Sequence, residues 1–479
     1  MNATTGNDAH DDAESVDWAA LAPEGGDRIA PLLAEVTRSD TALSELHDII
    51  AFPAPGHTAA PKAVDHLVDA ACSPLTPATD RWRPLSLLLE LVSPHAEDLF
   101  PEPRDLGQWR DEVAWIATTD IAKVHEQYRA WVEEAPDEQQ RWRMRNRLDV
   151  LELPEGPALL QAELDTFEAV RARVPDLLEL LKGASNRGGL DRAGEWVSYV
   201  LAFLTPDADR IVAGITGSSQ MLLARDLRPT RQTASGLRGI MDQALEGGSE
   251  PLPAELFALG LLAGPDDIDL TVALTHQMAG GNLYNSFAAS VALVLIHGPD
   301  TPREALRRVG RGGGTTSGYE GLFNESWPHC GPRSPRVLGF LALGRAGDRA
   351  RRLRLDILLG LIKDEDDSRA LVTGVGLELV LGPRAKGFTA EEHVQAEYDE
   401  EILKVLWAIA ELPAGAWEDE GFRETLAAWA LPQDPEEFRA LVGVEAEPEV
   451  VEASAPTGRP EPTGPPQGGI LGRLFGGGR

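Results

Sequence analysis

The chain has 479 residues, of which 77 are acidic and 44 basic, for a formal net charge of −33 at neutral pH. That balance argues against a general nucleic-acid or anionic-membrane binder, because neutralising phosphate needs a basic face. Two cysteines far apart in sequence, Cys72 and Cys330, exclude a disulfide scaffold and a CxxC-type zinc knuckle, and an apolar fraction of 43% fits a soluble, cytoplasmic chain.

In chain order, residues 1–26 carry Asp8, Asp11, Asp12, Glu14, Asp17 and Glu24 and no Lys or Arg. They read as a disordered acidic leader, the opposite of a signal peptide's basic start. Residues 27–153 read as an N-terminal group of helices. Trp82, Leu85, Leu88 and Val92 recur at helical spacing, and Leu87 and Leu91 give the same helix a second apolar face, so it is expected between two neighbours. Ile121, Val124, Tyr128 and Trp131 form another stripe. The break Leu153-Pro154-Glu155-Gly156-Pro157 opens a long helix and connector over 154–189, which Pro175 should kink or split before the polar loop Gly183–Gly189.

A second helical array spans 190–444. Its most apolar part, Phe287–Ile296, is about half a membrane span and reads as a buried helix, so no stable membrane insertion is expected. Leu353–Ile362 is apolar on more than one side, as is the segment carrying Ile402, Leu403, Val405, Trp407, Ile409 and Leu412. Residues 445–479, rich in Glu, Pro and Gly, read as a disordered tail with a terminal apolar motif. Alternation over strand lengths is nearly absent, so the expected class is all-α.

Helix starts and stops are legible. Thr301-Pro302-Arg303-Glu304 and Asp434-Pro435-Glu436-Glu437 combine a capping side chain, a proline in the first turn and a following glutamate, and Thr389 with Glu392 and Asp137 with Gln140 repeat the box without proline. Gly298-Pro299 and Gly382-Pro383 are stops. A proline–aspartate turn recurs at Pro206, Pro265, Pro299 and Pro432–Pro435; the 34 residues from Pro265 to Pro299 suit one helix-pair repeat of ~34–47 residues, whereas the 59 from Pro206 to Pro265 do not fit one cleanly.

The segment from Phe52-Pro53-Ala54-Pro55-Gly56-His57-Thr58-Ala59-Ala60-Pro61 through Val64, Leu67 and Val68, the turn Ser73–Asp80 and the helix Trp82–Val92 resembles the opening of bacterial HEAT-repeat proteins of the armadillo type. The resemblance implies an irregular α-solenoid of antiparallel helix pairs and a binding role. Some relatives of that kind are regulatory or toxin-immunity proteins.

Candidate chemistry is thin. The run Gly310–Gly318 lacks the lysine and the preceding strand of a phosphate loop and reads as a flexible connector. His329-Cys330 are adjacent, a poor geometry for a nucleophile and its base. His393 and Glu397 are four apart, too few groups for a metal site, and Asp364-Glu365-Asp366-Asp367 lacks calcium-loop spacing. We therefore expect no catalytic residue, no metal and no cofactor. The partner-facing candidates are the basic clusters that stand out against the net charge, with Arg141, Trp142 and Arg145 in one and Arg349 and Arg352 in another. Arg143 and Arg147 point to another side of the first helix, so the four arginines make no single patch, and the plain expectation for all of them is pairing with Glu133, Glu134 and neighbouring helices. In the tail, Ile470, Leu471, Leu474 and Phe475 share one side of a short helix and resemble a docking peptide. The expected function is a non-catalytic scaffold for a protein partner. The alternatives are an enzyme or small-ligand binder with its site in the groove between the two arrays, and a nucleic-acid-binding solenoid.

Overall fold

The computed structural model describes residues 16–93, 104–135, 138–185, 192–218, 251–280, 283–312, 335–363, 369–382 and 389–444. The described residues form α-helices and short 3-10 turns without a strand. Helices α1–α5 span Trp18–Leu21, Gly26–Glu35, Asp40–Ile50, Ala60–Cys72 and Trp82–Val92. Next come α6 Leu106–Thr118, α7 Ile121–Glu134, α8 Glu138–Leu151, α9 Gly156–Ala172, α10 Val174–Ser185, α11 Arg192–Phe203 and α12 Ala208–Ser218. After them lie α13 Pro253–Leu262, α14 Ile268–Gly280, α15 Leu283–His297, α16 Arg303–Gly312, α17 Pro335–Ala342 and α18 Arg351–Lys363. The last are α19 Arg369–Leu381, α20 Ala390–Gln395, α21 Glu400–Ala410, α22 Glu420–Ala428 and α23 Pro435–Val442.

Aspartate writes many of the helix starts. Asp17, Asp105, Asp120, Asp399, Asp419 and Asp434 each accept backbone N–H bonds at an N-terminus, and Thr389 and Glu392 complete the expected box before α20. A carboxylate there also meets the positive end of the helix dipole, so part of the acidic excess is structural. At Thr301 the hydroxyl instead donates to the Gly298 carbonyl at 2.5 Å. The expected stops hold, with Gly298 at φ 51 and Gly382 at φ 89. The expected split at Pro175 also occurs, since α9 ends at Ala172 and α10 restarts with Pro175 in its first turn.

Packing follows chain order except where α9, α10 and α11 return onto α4, α5 and α6. Helix α5 packs on α4 and α11, and Leu85, Leu87, Leu88, Leu89, Leu91 and Val92 are all buried, as its two apolar faces require. Helix α9 comes back onto α4, α5 and α6 and is flanked by α8. From there α11 meets α13, α13 meets α15, α15 meets α14 and α16, and α17, α18, α19 and α21 follow in turn. One apolar cluster runs through these contacts from Trp18 to Val442. Helix α15 is buried along nearly its whole length, from Asn285 to Val294. Against it, a Cβ added at Gly260 of α13 would stand 2.6 Å from the Ala292 Cα, so only glycine lets these backbones approach.

Two readings change. Trp18 and Ala22 are buried in the core, so residues 16–26 are not part of a disordered leader; a large indole that can be covered by neighbouring helices outweighs the local acidic composition. Gly310, Arg311 and Gly312 are the end of α16 rather than a connector, with Gly310 facing Leu353 of α18. Among the described residues no helix is long and apolar enough to cross a membrane.

Candidate functional site

The site grows from two capped helices. Asp105 fixes the start of α6 and Asp120 that of α7. On α6 the residues Gln108, Asp111, Glu112 and Trp115 recur at spacings of three and four, so they share one face. On α7, Gln127, Trp131 and Glu134 do the same. These two faces, with Ala135 at the end of α7 and Met144 of α8, line an open groove of about 670 Å³.

The groove floor is aromatic and rests on a charge cluster. The Trp115 and Trp131 rings are 5.7 Å apart at 53°, and Tyr128 meets Trp131 edge-on at 5.0 Å. Beneath them a small second core gathers Phe52, Ile116, Val124, Tyr128, Val150, Leu151, Leu159 and Leu160. The Tyr128 hydroxyl donates to Glu112 Oε1, which also accepts from the Arg147 guanidinium at 2.5 Å. Burial works against the Arg147 charge, but Glu163 and Glu112 more than offset it and hold its pKa above the usual arginine value. Burial first, and the Glu112 charge second, push the Tyr128 phenol up, so it stays a neutral donor. Arg147 also lies 5.7 Å over the Trp109 ring, which Arg104 covers at 5.1 Å. This buried pair locks α6, α7 and α8 together and takes Glu112 out of play as a free acid.

The residues expected to face a partner are not brought together. Arg145 is exposed on α8, while nothing is described of the Arg141 and Trp142 side chains. Arg147 pairs with an acid of a neighbouring helix, the plain reading of that cluster. Arg349 donates to the Pro299 carbonyl at 2.7 Å, and Arg352 is exposed on α18, which packs on α16, α17, α19 and α21. Arg351 bridges to Glu401, and Arg354 lies over Phe340 and donates to its carbonyl. Ile470, Leu471, Leu474 and Phe475 lie outside the described residues, as do His329, Cys330, Asp364, Glu365, Asp366 and Asp367.

Other candidates resolve into packing. His393 bonds Tyr398 and the Trp429 carbonyl, each at 2.5 Å, whereas Glu397 lies beyond the end of α20 and is exposed. Burial pushes the Cys72 thiol up to about 11, the inert end of cysteine chemistry. Among the described residues no three His, Cys, Asp or Glu side chains are grouped to hold a metal. Sequence reading missed the groove because Trp131 sits on a stripe with Val124 and Tyr128 and so reads as core. The available signal was the polar–aromatic face Gln108, Asp111, Glu112, Trp115, which is too polar to be buried and too aromatic for a plain solvated surface.

The chain matches no known protein family, no curated protein and no solved structure.

Proposed function

We propose that this chain is a non-catalytic, HEAT-like α-solenoid that binds a protein partner in a regulatory or immunity-type role. The observation that carries the reading is the order of packing. Helices α13 to α19 and α21 cover their apolar sides mainly with neighbours close in sequence, and a single core runs through them. Such arrays hold extended surfaces open, because each unit is completed by the next rather than by closing on itself. Two features add to it: the open aromatic groove on α6–α8, and the half-exposed Trp407, whose indole N–H is tied to the Val442 carbonyl at 3.0 Å.

The test has two readouts on the full chain. Small-angle scattering should give an elongated particle, and affinity capture should recover the same partner reproducibly, with the reciprocal capture recovering this chain. A compact scattering profile would remove the solenoid. Failure of the reciprocal capture would remove the binding role.

A further inference from the structure

We propose that the groove on α6–α8 docks a basic peptide segment of the partner, with one arginine or lysine over the Trp115–Trp131 pair and a second, two residues away, at the Asp111 rim. This rests on reading the chain as a protein-binding scaffold and names the chemistry of what it binds.

The chain's own habit supplies the first argument. It places a guanidinium over an aromatic ring repeatedly: Arg83 over Trp82 at 5.0 Å, Arg104 over Trp109 at 5.1 Å and over Phe167 at 4.9 Å, and Arg354 over Phe340 at 4.9 Å. Indole faces attract cations because the ring quadrupole is negative above its plane. Among the described residues no arginine or lysine lies over Trp115 or Trp131, although these rings line the open groove.

Charge supplies the second. Glu112 is occupied by Arg147 and Tyr128, but Asp111 and Glu134 are exposed on the rim and enter no ion pair among the described residues. Among the described residues no basic side chain lines the groove. A net charge of −33 adds a field that draws cations in. The Gln108 and Gln127 amides can donate to and accept from a peptide backbone, and Met144 offers an apolar wall for an arginine stem.

Spacing supplies the third. Asp111 and Trp115 are one helical turn apart, about 6 Å along α6. Residues i and i+2 of an extended strand point the same way and are separated by about 6.6 Å. An Arg-x-Arg segment therefore meets both positions from one side, whereas adjacent arginines point to opposite sides.

The experiment is calorimetric titration of the full chain at low ionic strength with Ac-Gly-Arg-Ala-Arg-Gly-amide and with the isomer Ac-Gly-Arg-Arg-Ala-Gly-amide. The expected result is saturable one-site binding of the first, several-fold tighter than the second. Asp111→Asn with Glu134→Gln should weaken it by about fivefold, the size set by two exposed charge contacts. Asp356→Asn with Glu424→Gln, exposed acids on α18 and α22 with the same change in net charge, should leave it unchanged. Trp115→Ala should abolish the preference between isomers, with folding checked by circular dichroism. Equal weakening by both acid pairs would reduce the effect to the diffuse field and overturn the proposal, as would absence of saturable binding. Tetramethylammonium binding as tightly as the peptide would overturn it in favour of a small-cation pocket. A captured partner that survives the Asp111/Glu134 changes would sink the groove assignment and leave the scaffold standing. A compact scattering profile with intact peptide binding would do the reverse.

Discussion

Helices α13 and α15 are apolar on nearly every side, whereas between Leu106 and Leu151 the helices carry a buried ion pair, two half-buried indoles and exposed acids. Those two helices are buried over most of their length, with Leu283 exposed at the start of α15. Gly260 and Ala292 bring α13 and α15 into close backbone approach. The second region holds its helices with Arg147 and Glu112, which costs desolvation but frees the outer faces of α6 and α7 from having to be core. The same helical chain thus builds a spine where α13 and α15 are nearly buried and a candidate docking face where α6 and α7 are not.

The sharpest way to break this comparison is at the ion pair. Arg147→Ala leaves Glu112 and Glu163 buried without their cation and should destabilise the fold by about 3–5 kcal/mol in chemical denaturation. Arg147→Met with Glu112→Gln should recover most of that loss. If the single change is silent, the charge cluster does not hold α6–α8. Gly260→Val tests the apolar spine, because its side chain has no space against Ala292. A loss of about 1–3 kcal/mol is expected, with the groove's peptide binding unchanged. A cap is smaller still: Asp434→Ala should cost about 1 kcal/mol, read as a lowered melting temperature.

The smallest effect is a pH slope. His57 is fully buried against Phe52, a member of the small core under the groove, and its Nδ1 bonds the Ile50 carbonyl at 2.8 Å. Burial lowers its pKa below the usual 6.5, with the Ile50 bond and Glu163 pulling the other way. Above 6.5 both folded and unfolded forms are neutral and His57 contributes no slope. Below it the unfolded chain takes up the proton first, so stability falls with falling pH. The fall should be shallower in His57→Gln, measured as melting temperature between pH 7 and pH 5.

Much of the fold was legible because local rules point one way. The double apolar face of Trp82–Val92 predicts a helix between two neighbours, and α5 lies between α4 and α11. Phe287–Ile296 predicts a buried helix, and α15 is one. The groove was not legible for a physical reason. Trp131 and Tyr128 share a stripe, yet one lines the surface and the other is fully buried, and periodicity cannot separate two aromatics on the same face. Trp18 was missed similarly, since an acidic neighbourhood hides a single indole that the core recruits.

Helical class, caps, stops and the split at Pro175 follow from the amino-acid order alone, because each depends on atoms within a turn or two of the chain. The return of α9 onto α4, the pairing of Arg147 with Glu112 and the meeting of Trp115 with Trp131 were decided only in the folded molecule. Each joins side chains on different helices, and which faces meet depends on how every intervening helix packs.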